Sequence, residues 1–157
     1  MNVSAFLDNQ KCWYEHVAHR PTSGAQRVAG QLHVPGHEVA KTVLLRVQPK
    51  REYVLAVLPA DMTIDMKRAK ALLAARRLEL ATELEIATFC TDCEFGALPP
   101  FGSRYGLKTI VDASLAQDET ILFEGNTHHD AYRMRFDDFR RLENPEMASF
   151  AVPESDD

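Results

Sequence analysis

The stretch Gly96-Ala97-Leu98-Pro99-Pro100-Phe101-Gly102 constrains the chain more than any other. Adjacent prolines fix φ and offer no amide donor, so this segment fits neither a helix interior nor a central strand. The flanking glycines open backbone angles closed to other residues and let a ligand or another backbone approach closely. The sequence therefore predicts a stiff, shaped loop with an apolar lining from Leu98 and Phe101. Such a loop is either a rigid connection between two elements or a pocket wall held by its scaffold.

What surrounds the loop is one domain's worth of chain. At 157 residues there is room for a single sizeable core, and 45% hydrophobic with 26% charged residues is ordinary for a globular fold. No apolar run reaches the ~18 residues of a membrane span, and Met1 to Gln10 lacks the pattern of a secretory signal. Three cysteines, an odd number, suit a reducing compartment, so the expected location is cytoplasmic. A net charge of −5 argues against a protein that coats DNA or RNA non-specifically, while leaving room for a local basic patch.

Periodicity supplies the elements. A short helix is expected over 2–11 and a strand from Cys12 to His19; Thr22 or Ser23 then caps a helix through Leu32. Ala40 to Val47 alternates as a strand, with Lys41, Val43, Leu45 and Val47 on one side. Tyr53 to Leu58 is nearly all apolar, hence a hairpin partner buried on both faces. Thr63 or Asp65 caps a helix running to Ala75, and Thr82 with Glu85 forms a capping-box pattern for another. Strands follow at Leu107–Val111, Ile121–Glu124 and Ala131–Phe136, then a helix capped by Asp137. The irregular interleaving predicts an α+β fold: one domain over residues 1–150, a mixed, curled, barrel-like sheet flanked by helices, and a disordered tail over 151–157.

Several residues are candidates for chemistry. Lys41 heads an otherwise apolar strand face, which fits either a snorkelling side chain or a pocket mouth. Lys67, Arg68 and Lys70 begin a run of five basic residues ending at Arg77 with no acid among them, either a solvated face or a landing site for RNA phosphates. Cys90-Thr91-Asp92-Cys93 has the spacing of half a zinc site or a dithiol centre. A second ligand pair is missing and the motif ends a helix rather than starting one, so two ordinary thiols and no metal are expected. His128 and His129 point opposite ways on extended backbone, so at most one faces a given site.

In combination these pieces resemble a known family. Val39-Ala40-Lys41-Thr42-Val43, the strand ending in Pro59-Ala60, and Cys93 through Gly102 occur in its order. Phe123-Glu124-Gly125-Asn126-Thr127-His128 and the helix Asp138-Phe139-Arg140-Arg141-Leu142 complete the pattern. The chain resembles the YbaK/prolyl-tRNA-synthetase-associated domain family, freestanding homologues of the editing domain of bacterial prolyl-tRNA synthetases. That resemblance implies a trans-acting deacylase that hydrolyses the ester of a mischarged tRNA by water attack, for a small amino acid, with tRNA-Pro as the candidate carrier. It implies catalytic roles for Lys41, Gly96 and His128. Thr42, Ala97, Leu98, Pro99, Pro100 and Phe101 would bind the substrate, and Lys67, Arg68 and Lys70 the tRNA phosphates. No cofactor is implied; the partners are the acceptor end of tRNA and an aminoacyl-tRNA synthetase as a candidate, with no membrane and no DNA. Many relatives place a glycine nearer the histidine, where this chain has Asn126-Thr127. A non-catalytic aminoacyl-tRNA or small-ligand binding module on the same fold is the competing class.

Overall fold

A computed structural model describes residues 1–22 and 24–154. Its centre is the hairpin of β2 (Ala40–Gln48) and β3 (Glu52–Pro59), paired antiparallel from Ala40↔Pro59 to Val47↔Glu52. The apolar run of β3 is buried on both faces, as its composition requires. Val54, Ala56 and Leu58 enter one core with Phe150 and α3 (Met66–Leu72); Val57 enters a second with Phe101, Phe123 and Phe139.

Around the hairpin a five-stranded mixed sheet runs β5-β2-β3-β6-β9, with β5 (Arg77–Leu80) antiparallel to β2. The strands β6 (Lys108–Asp112) and β9 (Glu146–Ala148) continue it in parallel. A three-stranded antiparallel sheet, β1 (Tyr14–Ala18), β8 (Asp130–Arg135) and β7 (Thr120–Glu124), meets it at one parallel bridge, Val39↔Leu122. The sheets curl round the core without closing. The helices α1 (Val3–Gln10), α2 (Ala25–Leu32), α4 (Glu83–Phe89) and α5 (Phe136–Glu143) pack outside. Among the described residues no helix is long and apolar enough to cross a membrane.

Local rules explain most boundaries. Asp65 caps α3 by accepting from the Lys67 and Arg68 amides, and Thr82 with Glu85 forms the full capping box of α4. Two expected caps fail. Helix α2 starts after Gly24 with no side-chain cap, two residues beyond Thr22, whose amide donates to the His128 carbonyl; Ser23 lies outside the described residues. Helix α5 starts at Phe136, whose buried ring sets the position before Asp137 is reached.

Three strands of three residues each escape periodicity: β4 (Met62–Ile64), β9 and β10 (Ala151–Pro153). The last two fall where packing groups look sparse in sequence. Buried Asp112 organises that region, accepting from the Phe150 and Ala151 amides at 2.9 Å each, while β10 pairs with β4. The expected tail from residue 151 is thus corrected to an ordered strand through Pro153; residues 155–157 lie outside the described part.

Candidate active site

The two halves of β2 have different neighbours. Strand β5 pairs only with Leu45–Gln48, and Ala81 donates to the Leu44 carbonyl at 2.9 Å. Toward the other end, Val39 already bridges to β7. Between them, among the described residues, no strand but β3 pairs with the Lys41–Val43 margin. The Ala60 amide donates to the Val39 carbonyl at 2.7 Å, which sets the hydrogen-bonding phase of the hairpin. By alternation the peptide groups of Ala40 and Thr42 then face the gap rather than β3.

The Gly96–Pro100 loop fills the far side of that gap. Thr42 Oγ1 donates to the Leu98 carbonyl at 2.7 Å, fastening the loop to β2. The Asn126 amide donates to the Ala97 carbonyl at 3.0 Å, and the Glu94 amide to the Asn126 carbonyl at 2.7 Å, fastening it to the turn after β7. Held at both ends, the loop leaves a cavity of about 210 Å³ lined by Lys41, Thr42, Gly96, Leu98, Phe123 and Glu124, together with Gly24 and Ala25. The amides of Gly96 and Leu98 have no hydrogen-bond partner among the described residues. Leu98 and Phe123 are buried, so the cavity has an apolar wall and a polar end.

Electrostatics mark that polar end. Burial pushes the Lys41 ammonium below its ordinary pKa, while the carboxylates of Glu154 and Asp61 oppose the shift. Burial likewise pushes the Glu124 carboxyl up, with partial relief from His128. His128 donates toward both sides, Nδ1 to Glu124 Oε2 at 2.9 Å and Nε2 to the Phe95 carbonyl. Burial alone would lower its pKa, but the Phe95 carbonyl and Glu124 together raise it. An ideal Cβ on Gly96, whose φ is +83°, would stand 3.3 Å from His128 Cε1. The imidazole therefore packs behind the loop and does not line the cavity.

The structure brings Lys41, Thr42, Gly96 and Leu98 to one cleft. Ala97, Pro99 and Pro100 are buried behind it. Phe101 is fully buried, edge-on to Phe6, Phe123 and Phe139, which corrects the expectation that it touches substrate: it is a core anchor of the loop. Lys67, Arg68 and Lys70 are exposed on α3, outside the cleft, and Arg68 is 3.5 Å from Asp65. Gly24, Ala25, Val39, Ala40, Phe123 and Glu124 also line the cleft without being expected from sequence, and only the spacing Glu124-x-x-x-His128 offers a signal for any of them.

Cys90 and Cys93 form a disulfide, correcting the expectation of two free thiols. Helix α4 ends at Phe89, and the non-helical Cys90 turns the chain back so that the two Cα atoms lie 5.6 Å apart, within bridging range. Cys12 is free.

The profile of the aminoacyl-tRNA editing domain family matches residues 19–142, which include the cleft, the loop and His128. The chain belongs to that family. Over 149 residues this editing domain is 26% identical to the multifunctional Ser/Thr-tRNA deacylase ProXp-y of Escherichia coli K12, covering 93% of this chain and 89% of that one. Among solved structures it is similar to one described as a candidate trans-editing enzyme for prolyl-tRNA synthetase. There the TM-score is 0.82 at 19% identity, over 98% of this chain and 95% of that one. A hypothetical protein of known structure superposes with a TM-score of 0.85 at 16% identity, over 96% and 99% of the two chains.

Proposed function

We propose that this editing domain is a trans-acting deacylase that hydrolyses the ester between a small amino acid and the 3′-terminal ribose of a mischarged tRNA. The observation that carries the reading is the make-up of the cleft: an ammonium, a carboxylate and two unpartnered loop amides round a space of about 210 Å³. That volume lies below the ~300–1,000 Å³ of sites for drug-sized ligands, which suits an aminoacyl group rather than a whole nucleoside ester. Among the described residues of the lining Thr42 has the one hydroxyl side chain, and it is committed to the Leu98 carbonyl. A water is therefore the attacking group.

Water adds to the ester carbonyl carbon, negative charge grows on the carbonyl oxygen, and the C–O bond to the ribose breaks. The proton released on attack leaves with the ribose hydroxyl. The Gly96 and Leu98 amides can stabilise the growing charge without reorganising, the role worth ~10²–10³ in rate per donor elsewhere. Lys41 holds the polar groups of the terminal nucleotide, Glu124 receives the substrate's α-ammonium, and Leu98 with Phe123 limits the side chain. His128 acts through Gly96 and Glu124 and is a positioning residue.

Serine and threonine are the first amino acids to test, given the relative's name, with alanine and cysteine beside them. A hydrophobic wall separates neighbours differing by one methylene by only ~10–200-fold, so a second sieve after aminoacylation is useful. The experiment is deacylation of a panel of mischarged tRNAs, tRNA-Pro included, with and without the cognate synthetase. Release of small amino acids in preference to large ones is expected; binding without release from any member of the panel would make the protein a binding module instead.

A further inference from the structure

The cleft does not end at Lys41. A second depression of about 370 Å³ shares that residue and is otherwise lined by Val43, Thr63, Ile64, Met66 and Leu80. Its origin is the short reach of β5. Lys41 and Val43 lie on the same strand face as Leu45 and Val47, which pack into the core beneath α3. Where β5 stops, that core is left open at one end. Leu80, the last residue of β5, is 62% exposed beside it. Thr42 and Leu98 lie on the opposite face, so the two depressions flank one free strand margin with Lys41 between them.

An acyl-sized cleft forces the nucleoside of its substrate outside, and two neighbouring depressions share a residue with it, one Leu98 and the other Lys41. Past Leu98 lies an apolar recess edged by Glu83 and Glu94, with Asp92 near by and no basic side chain in its lining. Past Lys41 lies the open core end, and Met66 in its wall begins α3, so that Lys67 and Lys70 stand just beyond. No carboxylate lies within ion-pairing distance of either lysine among the described residues. On that side Lys41, Lys67 and Lys70 stand against the carboxylates of Asp61 and Glu154 that act on Lys41, whereas the lining of the first recess has carboxylates and no cation, so a polyanion is better met on the second.

We infer that the groove of Val43, Ile64, Met66 and Leu80 seats a nucleobase of the tRNA acceptor end, resting on the deacylase reading above. The acyl group lies on one face of the β2 margin and the base on the other. Lys41 sits at the crossing point, and Lys67 and Lys70 meet the next phosphates. Aliphatic walls hold the base by its face, so the seat tolerates any base that fits. Thr63 is the one neutral polar side chain placed to meet a base edge.

Leu80 is the residue to change, because its exposure spares the fold. Leu80→Glu should raise KM for seryl-tRNA about tenfold, the scale of one lost base contact, with kcat kept. It should leave unchanged the hydrolysis of a seryl ester of methyl ribofuranoside, which has no base. Leu80→Phe should keep or lower the parent KM. An unchanged KM in Leu80→Glu overturns the seat. A second readout needs no activity: the CCA trinucleotide should shift the methyl NMR signals of Val43, Ile64, Met66 and Leu80, and Leu80→Glu should abolish this. Shifts confined to Phe95 and α4 would overturn the seat, whereas a parent that hydrolyses no ester while showing the groove shifts would overturn the deacylase reading alone.

Discussion

Gly96 and His128 are packed face to face across the loop, close enough that a methyl group on the glycine would stand 3.3 Å from the imidazole Cε1. The loop's positive φ and the histidine's position are one arrangement. Gly96→Ala adds a side chain in a backbone region that costs roughly 1–2 kcal/mol and presses on the ring. The expected outcome is a fall in Tm of several degrees and a larger loss in deacylation kcat, measured on one mischarged tRNA. Parent-like turnover in the folded variant would mean that this packing does not shape the cleft.

The His128–Glu124 pair gives a pH dependence whose direction follows from the shifts. His128 has a raised pKa in the fold, so its contribution is complete below the ordinary histidine value and is lost as pH climbs through the raised one. Glu124 is raised as well, and its contribution fades as pH passes upward from the ordinary carboxyl range. Both run the same way. The Tm gap between the parent and His128→Gln should be widest near pH 6, about the ordinary histidine value, and should narrow toward pH 9. A gap that grows with pH would refute the charged pair.

Lys41 should trade stability for function. Its pKa is depressed by burial, so holding its charge at neutral pH costs folding free energy despite Glu154 and Asp61. Lys41→Met should fold with a Tm equal to or above the parent's and lose deacylation by about 10²–10³-fold. Thermal melts and single-turnover assays on the same preparation check both halves, and full activity would remove Lys41 from the mechanism.

The exposed helix α3 predicts a salt effect. With Lys67, Arg68 and Lys70 changed together to alanine, tRNA binding should weaken and the slope of log affinity against log salt should flatten, while single-turnover chemistry at saturation stays put. Titrations at several salt concentrations decide it; an unchanged slope makes this a solvated face.

How much of this was readable beforehand divides along the range of the interactions. Short-range grammar was legible: the proline pair fixed Gly96–Pro100 as a loop, alternation put Lys41 on the face of Val43 and Leu45, and Thr82 with Glu85 announced a helix. Long-range geometry was not. Glu124 reads as the last residue of an apolar strand, and it becomes the polar end of a cleft only because Val39 bridges to Leu122 from the other end of the chain. Phe101 looks like a pocket wall beside Pro100, yet three aromatic rings from separate elements claim it for the core. The cysteine spacing permits bridge, metal or free thiols alike, and the turn after Phe89 decides among them.

The pairing of β10 with β4 matters for handling the protein. Thr63 and Ile64, which wall the second depression, are held in place by Val152 and Ala151, and the Ala151 amide in turn hangs from Asp112. The end of the chain is therefore a strap over the floor of the groove. A chain cut after Phe150, which keeps that core ring, should keep its acyl cleft and its loop yet lose its grip on long substrates. An affinity tag set close behind Glu154 would pull on the same strap, so activity measured on tagged protein would report the tag as well as the enzyme.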